Sequence, residues 1–116
     1  MSTAPHNPTG PLIDMPAKTP AALRAAVARL DQTALDRFDE HWTSATAQTR
    51  DEYSLMPARA FTEHWWVWVA VERWPELAAR FRECERITAD SEDRAERRAA
   101  SAELGRILAE AEAAAA

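Results

Sequence analysis

Apolar positions recur along this chain at helical spacing. At about 100° per residue, Leu23, Ala26, Val27 and Leu30 share one stripe. Thr19-Pro20 stands just ahead of them. The Thr side chain can cap a helix, and Pro suits the first helical position, where its missing N–H costs nothing. These signals predict a first helix from Pro20 to about Leu30. A second, capped by Asp31 or Thr33, runs to about Tyr53. Its Leu35, Phe38, Trp42, Ala45, Thr49 and Tyr53 fall in one arc, with Asp36, Arg37, Glu40, Ser44 and Arg50 outside it.

Met56-Pro57 breaks the pattern, and a third helix follows to about Arg73. Phe61, Trp65, Trp68 and Val69 form its main face, which Ala60, His64, Val67 and Val71 widen. So broad an apolar arc places this helix in the middle of a bundle, with Trp65 and Trp68 buried. Trp74-Pro75 ends it and opens a fourth helix with the stripe Leu77, Phe81, Cys84, Ile87 and Thr88. Asp90 or Ser91 can cap a fifth, where Ala100, Leu104, Ile107, Leu108 and Ala111 align. No segment alternates at period two, which argues against strands. The expectation is an all-α, compact bundle of four to five helices with a disordered Pro-rich N-terminal arm. Residues 1–19 are the flexible arm, 20–112 the bundle and 113–116 a frayed Ala tail.

The arm holds Pro5, Pro8, Pro11 and Pro16, and also an apolar island of Leu12, Ile13 and Met15. That island is either a strap over the body's core or a short partner-binding motif.

Composition sharpens the picture in a few places. The chain has 116 residues, enough for one domain. Ala accounts for 26 of them, while Leu, Ile, Val and Phe together number only 18. Five Trp and three Phe compensate, because large aromatics build a core from few residues. No apolar run is long enough to span a membrane. Cys84 is alone, so a disulfide scaffold is excluded. With 14 basic against 19 acidic residues, bulk nucleic-acid binding is not expected. The N-terminus lacks a basic and an apolar region, so it does not read as a secretory signal, and the expectation is a cytoplasmic protein.

Candidate chemistry is sparse. Glu40-His41 and Glu63-His64 are adjacent pairs, whereas a carboxylate-bridged metal site in a bundle needs Glu-x-x-His. His41 and His64 sit at the edges of their apolar arcs and read as packed imidazoles bonded to a neighbour. Ser44 has no evident activator, and Cys84 lies mid-stripe, where a thiol is usually inert. No phosphate loop, nucleophile elbow or zinc spacing appears. No catalytic residue, cofactor or metal is assigned. The third helix's polar side lacks the donors of a groove-reading helix. In the last two helices Arg alternates with Glu and Asp, the pattern of a solvated mixed face.

A short echo links two helices. Phe38-Asp-Glu-His-Trp42 recurs 23 positions later as Phe61-Thr-Glu-His-Trp65, with Ala47/Ala70 and Arg50/Arg73 in register. Duplication of a helical unit and convergence of two core helices both account for it.

The misfit is Trp66, in the polar arc of the third helix and flanked by Thr62 and Arg73. Either another helix covers it, or it anchors a partner, as Trp does at interface hot spots. Trp66, Thr62 and Arg73, with Leu12, Ile13 and Met15, form the candidate partner-binding set.

The runs LRAAVARL, LDRFDEHW and FTEHWWVWVAVERWPELAARFRECE carry a resemblance. An opening RAA helix, an F-x-x-x-W helix, a Trp-bearing helix ending in E-R-x-P and an Arg-rich last pair together resemble a family of uncharacterised small helical proteins from actinobacteria. The resemblance covers about residues 20–112. Such proteins often stand beside RelE/ParE-like toxin-like genes, which implies an antitoxin-like or regulatory role and brings no active site with it. The expected function is a non-enzymatic protein-binding module whose partner is another protein or a second copy. The alternative is a small-molecule binder or enzyme with a pocket lined by His41, His64 and the Trp cluster.

Overall fold

A computed structural model describes residues 10–116, and residues 1–9 of the expected arm lie outside the described residues. The described chain is all-α: α1 (Pro20–Leu30), a 3-10 turn (Gln32–Ala34), α2 (Leu35–Glu52), α3 (Met56–Glu72), α4 (Pro75–Asp90) and α5 (Arg94–Ala115). It divides into two units. Met15–Val69 forms one, and residues 10–14 with Ala70–Ala116 form the other.

In the Met15–Val69 unit the local signals act as the sequence predicts. Thr19 Oγ1 accepts the N–H of Ala22 at 3.2 Å, with Pro20 at the first helical position. Leu23, Ala26 and Val27 are buried. Asp31 then ends α1: its backbone is extended, and its carboxylate accepts from Thr33 N at 3.0 Å. That Asx geometry starts the 3-10 turn, so α2 begins at Leu35, slightly later than a cap at Asp31 or Thr33 suggests.

At the far end of α2, Tyr53 adopts the left-handed conformation (φ 51°, ψ 41°) and turns the chain back. Glycine is the usual residue there, because a Cβ is strained. Ser54 Oγ accepts from Met56 N at 3.1 Å, and Thr49 Oγ1 accepts from Ala58 N at 3.1 Å. Two of the first-turn donors of α3, which no helix can satisfy internally, are thereby met. Tyr53 itself is 97% exposed, so it leaves the apolar arc that the helical wheel assigns it to. The left-handed turn swings it away from that arc.

The core of this unit is aromatic. Phe61, Trp65 and Val69 lie one turn apart on α3 and are buried, as is Phe38 of α2. The repeated five-residue motif packs against itself. Phe38 meets Trp65 at 5.1 Å between ring centroids and Trp42 meets Phe61 at 5.0 Å, the two pairings that a local two-fold relation would exchange. Phe38–Phe61 at 4.9 Å and His41–His64 at 5.3 Å pair each residue with its own counterpart. Trp68 does not share the burial of Trp65. It is half-buried, with its ring 5.4 Å from that of Trp65. The buried row advances one turn at a time from Phe61, and Trp68 lies to one side of it.

In the other unit α4 and α5 form a helical hairpin. Pro75 opens α4 after an extended Trp74, and Asp93 caps α5 by accepting from Ala95 N at 2.9 Å. Leu77, Ala78, Cys84, Ala100, Ile107 and Ala111 are buried. The interleaved charges pair at the surface: Arg80 with Glu103, Arg82 with Glu72, Arg86 with Glu83, and Arg106 with Glu103 at 2.8 Å. Residues 10–14 are tied to this unit. The Leu12 N–H donates to Arg73 O at 2.7 Å, and Arg73 Nη1 donates to Ile13 O at 3.3 Å.

Candidate functional site

The partner-binding set expected from sequence falls into separate places. Arg73 does not flank Trp66 on an open polar face. It is only 6% exposed, and Nη2 donates to Ala114 O at 3.0 Å near the end of α5. Its guanidinium lies 5.2 Å from the Trp74 ring. A cation is favoured at a helix C-terminus, and here it also ties down Ile13. Leu12 and Ile13 therefore gather with Arg73 in the unit built on α4 and α5. Met15, Thr62 and Trp66 belong to Met15–Val69.

Within that second group, Trp66 is half-buried beneath Lys18, whose Nζ lies 4.5 Å from the ring centroid. The same ammonium donates to Glu63 Oε1 at 2.8 Å. A residue of the expected arm thus covers part of Trp66. Thr62 donates its hydroxyl to Ala58 O at 3.0 Å within α3.

Beside this cover lies a groove of about 550 Å³, open to solvent. Pro20 of α1, Trp42 of α2, Leu55 of the connection and Ala58 of α3 supply its apolar lining. Lys18, Arg59, Thr62 and Glu63 supply the polar rim. In this lining Leu55, just after the turn at Tyr53, is 63% exposed and Trp42 is 36% exposed. The sequence reading placed Trp42 in the apolar arc of the second helix, and no signal marked Leu55 or Arg59. The Leu-Met pair directly before a helix-opening Pro was the available cue.

The two histidines form a separate cluster. Trp65 Nε1 donates to His41 Nδ1 at 3.0 Å, which requires Nδ1 to be free of a proton. Among the described residues no equivalent bond joins Trp42 to His64. His64 sits against the rings of His41 and Trp65, at 5.3 and 5.2 Å. Its pKa is held below the ordinary histidine value, first by desolvation and then by His41 and the Arg37 guanidinium. Arg37 lies 5.9 Å from the Trp65 ring. Neither histidine lines the groove, nor a smaller concavity of about 250 Å³ between Trp74, Leu77, Arg80 and Glu110. Among the described residues no group of three or more His, Cys, Asp or Glu is placed to hold a metal ion. No helix among them is long and apolar enough to cross a membrane.

Compared with known families, the chain matches over residues 13–114 one described as a family of unknown function, DUF6247. No curated protein and no solved structure matches it.

Proposed function

The chain belongs to the DUF6247 family, and for it we propose a non-enzymatic, regulatory role: binding another protein through the groove beside Trp42. One observation carries this reading. Trp42, 36% exposed, and Leu55, 63% exposed, line one open concavity, while Phe38, Phe61 and Trp65 of the same unit are buried. Leaving part of a Trp and most of a Leu exposed together forfeits hydrophobic stabilisation that a partner recovers. A groove of this openness suits the side chains of a second polypeptide better than a small molecule, which is held by burying most of its surface.

The finer form of the proposal is an antitoxin-like partner of a small toxin-like protein, acting in the cytoplasm of an actinobacterium. It draws on the resemblance in the helix motifs together with the groove. The test is co-expression with the product of the adjacent gene, followed by purification and NMR. A stable complex in which the Trp42 indole signal shifts while that of buried Trp65 stays in place is the expected result. A complex that leaves Trp42 unmoved would assign the binding elsewhere on the chain.

A further inference from the structure

We propose that the segment received by this groove is an acidic amphipathic one: an apolar side chain seated on Trp42 and Leu55, with a carboxylate held by Arg59. The proposal rests on the docking reading above and names the chemistry of the partner.

The charge at the groove runs against the charge of the chain. The protein carries a formal net charge of −5, yet the groove is rimmed by two cations and one anion. Lys18 and Glu63 neutralise each other at 2.8 Å, and Lys18 is further occupied by the Trp66 ring. That leaves Arg59, which is exposed and has no ion pair among the described residues. The other polar group, the Thr62 hydroxyl, is already bonded to Ala58 O. The groove therefore presents apolar lining and one unspent guanidinium. A planar guanidinium matches a carboxylate through two parallel N–H···O bonds, so it selects Asp or Glu over neutral or basic residues. The arrangement that satisfies both features is an apolar residue and a carboxylate about one helical turn apart on the same face.

The probes are two helical peptides, identical except that one carries Glu and the other Lys beside its Leu face. They are titrated into the full chain and followed by the Trp42 indole NMR signal, assigned with Trp42→Phe. The Glu peptide is expected to move that signal and to bind about tenfold more tightly than the Lys peptide. Arg59→Glu should invert the preference. That variant should fold, since an acidic residue is favourable in the first turn of α3.

Equal or tighter binding of the Lys peptide, or a preference that Arg59→Glu leaves unchanged, overturns the acidic-partner inference while the docking reading survives. A Trp42 signal that shifts with protein concentration alone makes a second copy the occupant and overturns it as well. Silence from both peptides also overturns it. The docking reading is then decided separately by the co-expressed complex.

Discussion

Trp65 and His41 are joined by a 3.0 Å hydrogen bond from the indole N–H to Nδ1, across the packing of α3 on α2. The bond explains why two tryptophans on one helix differ in weight. Trp65 is buried, with its polar end satisfied by His41 and its ring against Phe38. Trp68 keeps part of its surface in water. Trp65→Ala should cost about 3–5 kcal/mol, a large share of the total stability of a domain this size. Trp68→Ala should cost clearly less. Urea unfolding of both variants ranks them, and the reverse order would show that the core has been misplaced.

Acid should loosen the same cluster. Folding lowers the pKa of His64 through desolvation and the nearby His41 and Arg37. A histidine whose folded value is depressed binds its proton more readily in the unfolded chain. Its contribution is therefore complete above the ordinary value of about 6.5 and shrinks as pH falls toward the lower folded value. Unfolding followed at neutral and mildly acidic pH should show lower stability in acid, with a shallower dependence in His64→Gln. An unchanged slope in that variant would remove His64 as the cause.

Two residues break backbone preference in opposite senses. Tyr53 occupies a left-handed position that favours glycine, and its side chain is almost fully exposed. Gly105 lies inside α5, without positive φ, and a Cβ built there meets nothing within 4 Å. Gly105→Ala should stabilise by about 0.5–1 kcal/mol. Tyr53→Gly should also stabilise, by up to about 1 kcal/mol, once the strain it relieves is set against the added freedom of the unfolded chain. Thermal melts decide each. A loss of stability in Tyr53→Gly would mean that the tyrosine ring makes a stabilising contact.

Much of the fold was legible because its signals are local. Thr19-Pro20, Asp31 and Trp74-Pro75 act within a turn of themselves, and the apolar stripes need only a helical period, whereas the cap of α5 falls on Asp93 and not on the expected Asp90 or Ser91. Burial of Arg73 was not legible. Its acceptors are Ile13 O and Ala114 O, one on an irregular segment and the other at the far end of the chain, and no helical wheel brings them together. The partial exposure of Trp42 was not legible either. Its position in the apolar arc of α2 is real and its ring meets Phe61, yet the helical wheel does not tell how much of the indole that contact covers. The motif echo was visible as residues, while its meaning, two copies packing on each other, required the pairing of Phe38 with Trp65 and of Trp42 with Phe61.

Leu55→Asp tests whether the groove beside Trp42 docks a protein. Leu55 is exposed and immediately precedes α3, where Asp is a favoured helix cap. The substitution therefore places a charge in the groove without endangering the fold. The measurement is the dissociation constant of the co-expressed complex, taken together with the melting temperature of the free protein. The account predicts an affinity loss of about 2 kcal/mol or more, with melting unchanged or slightly raised. Unaltered affinity in a protein that melts like its parent would contradict it.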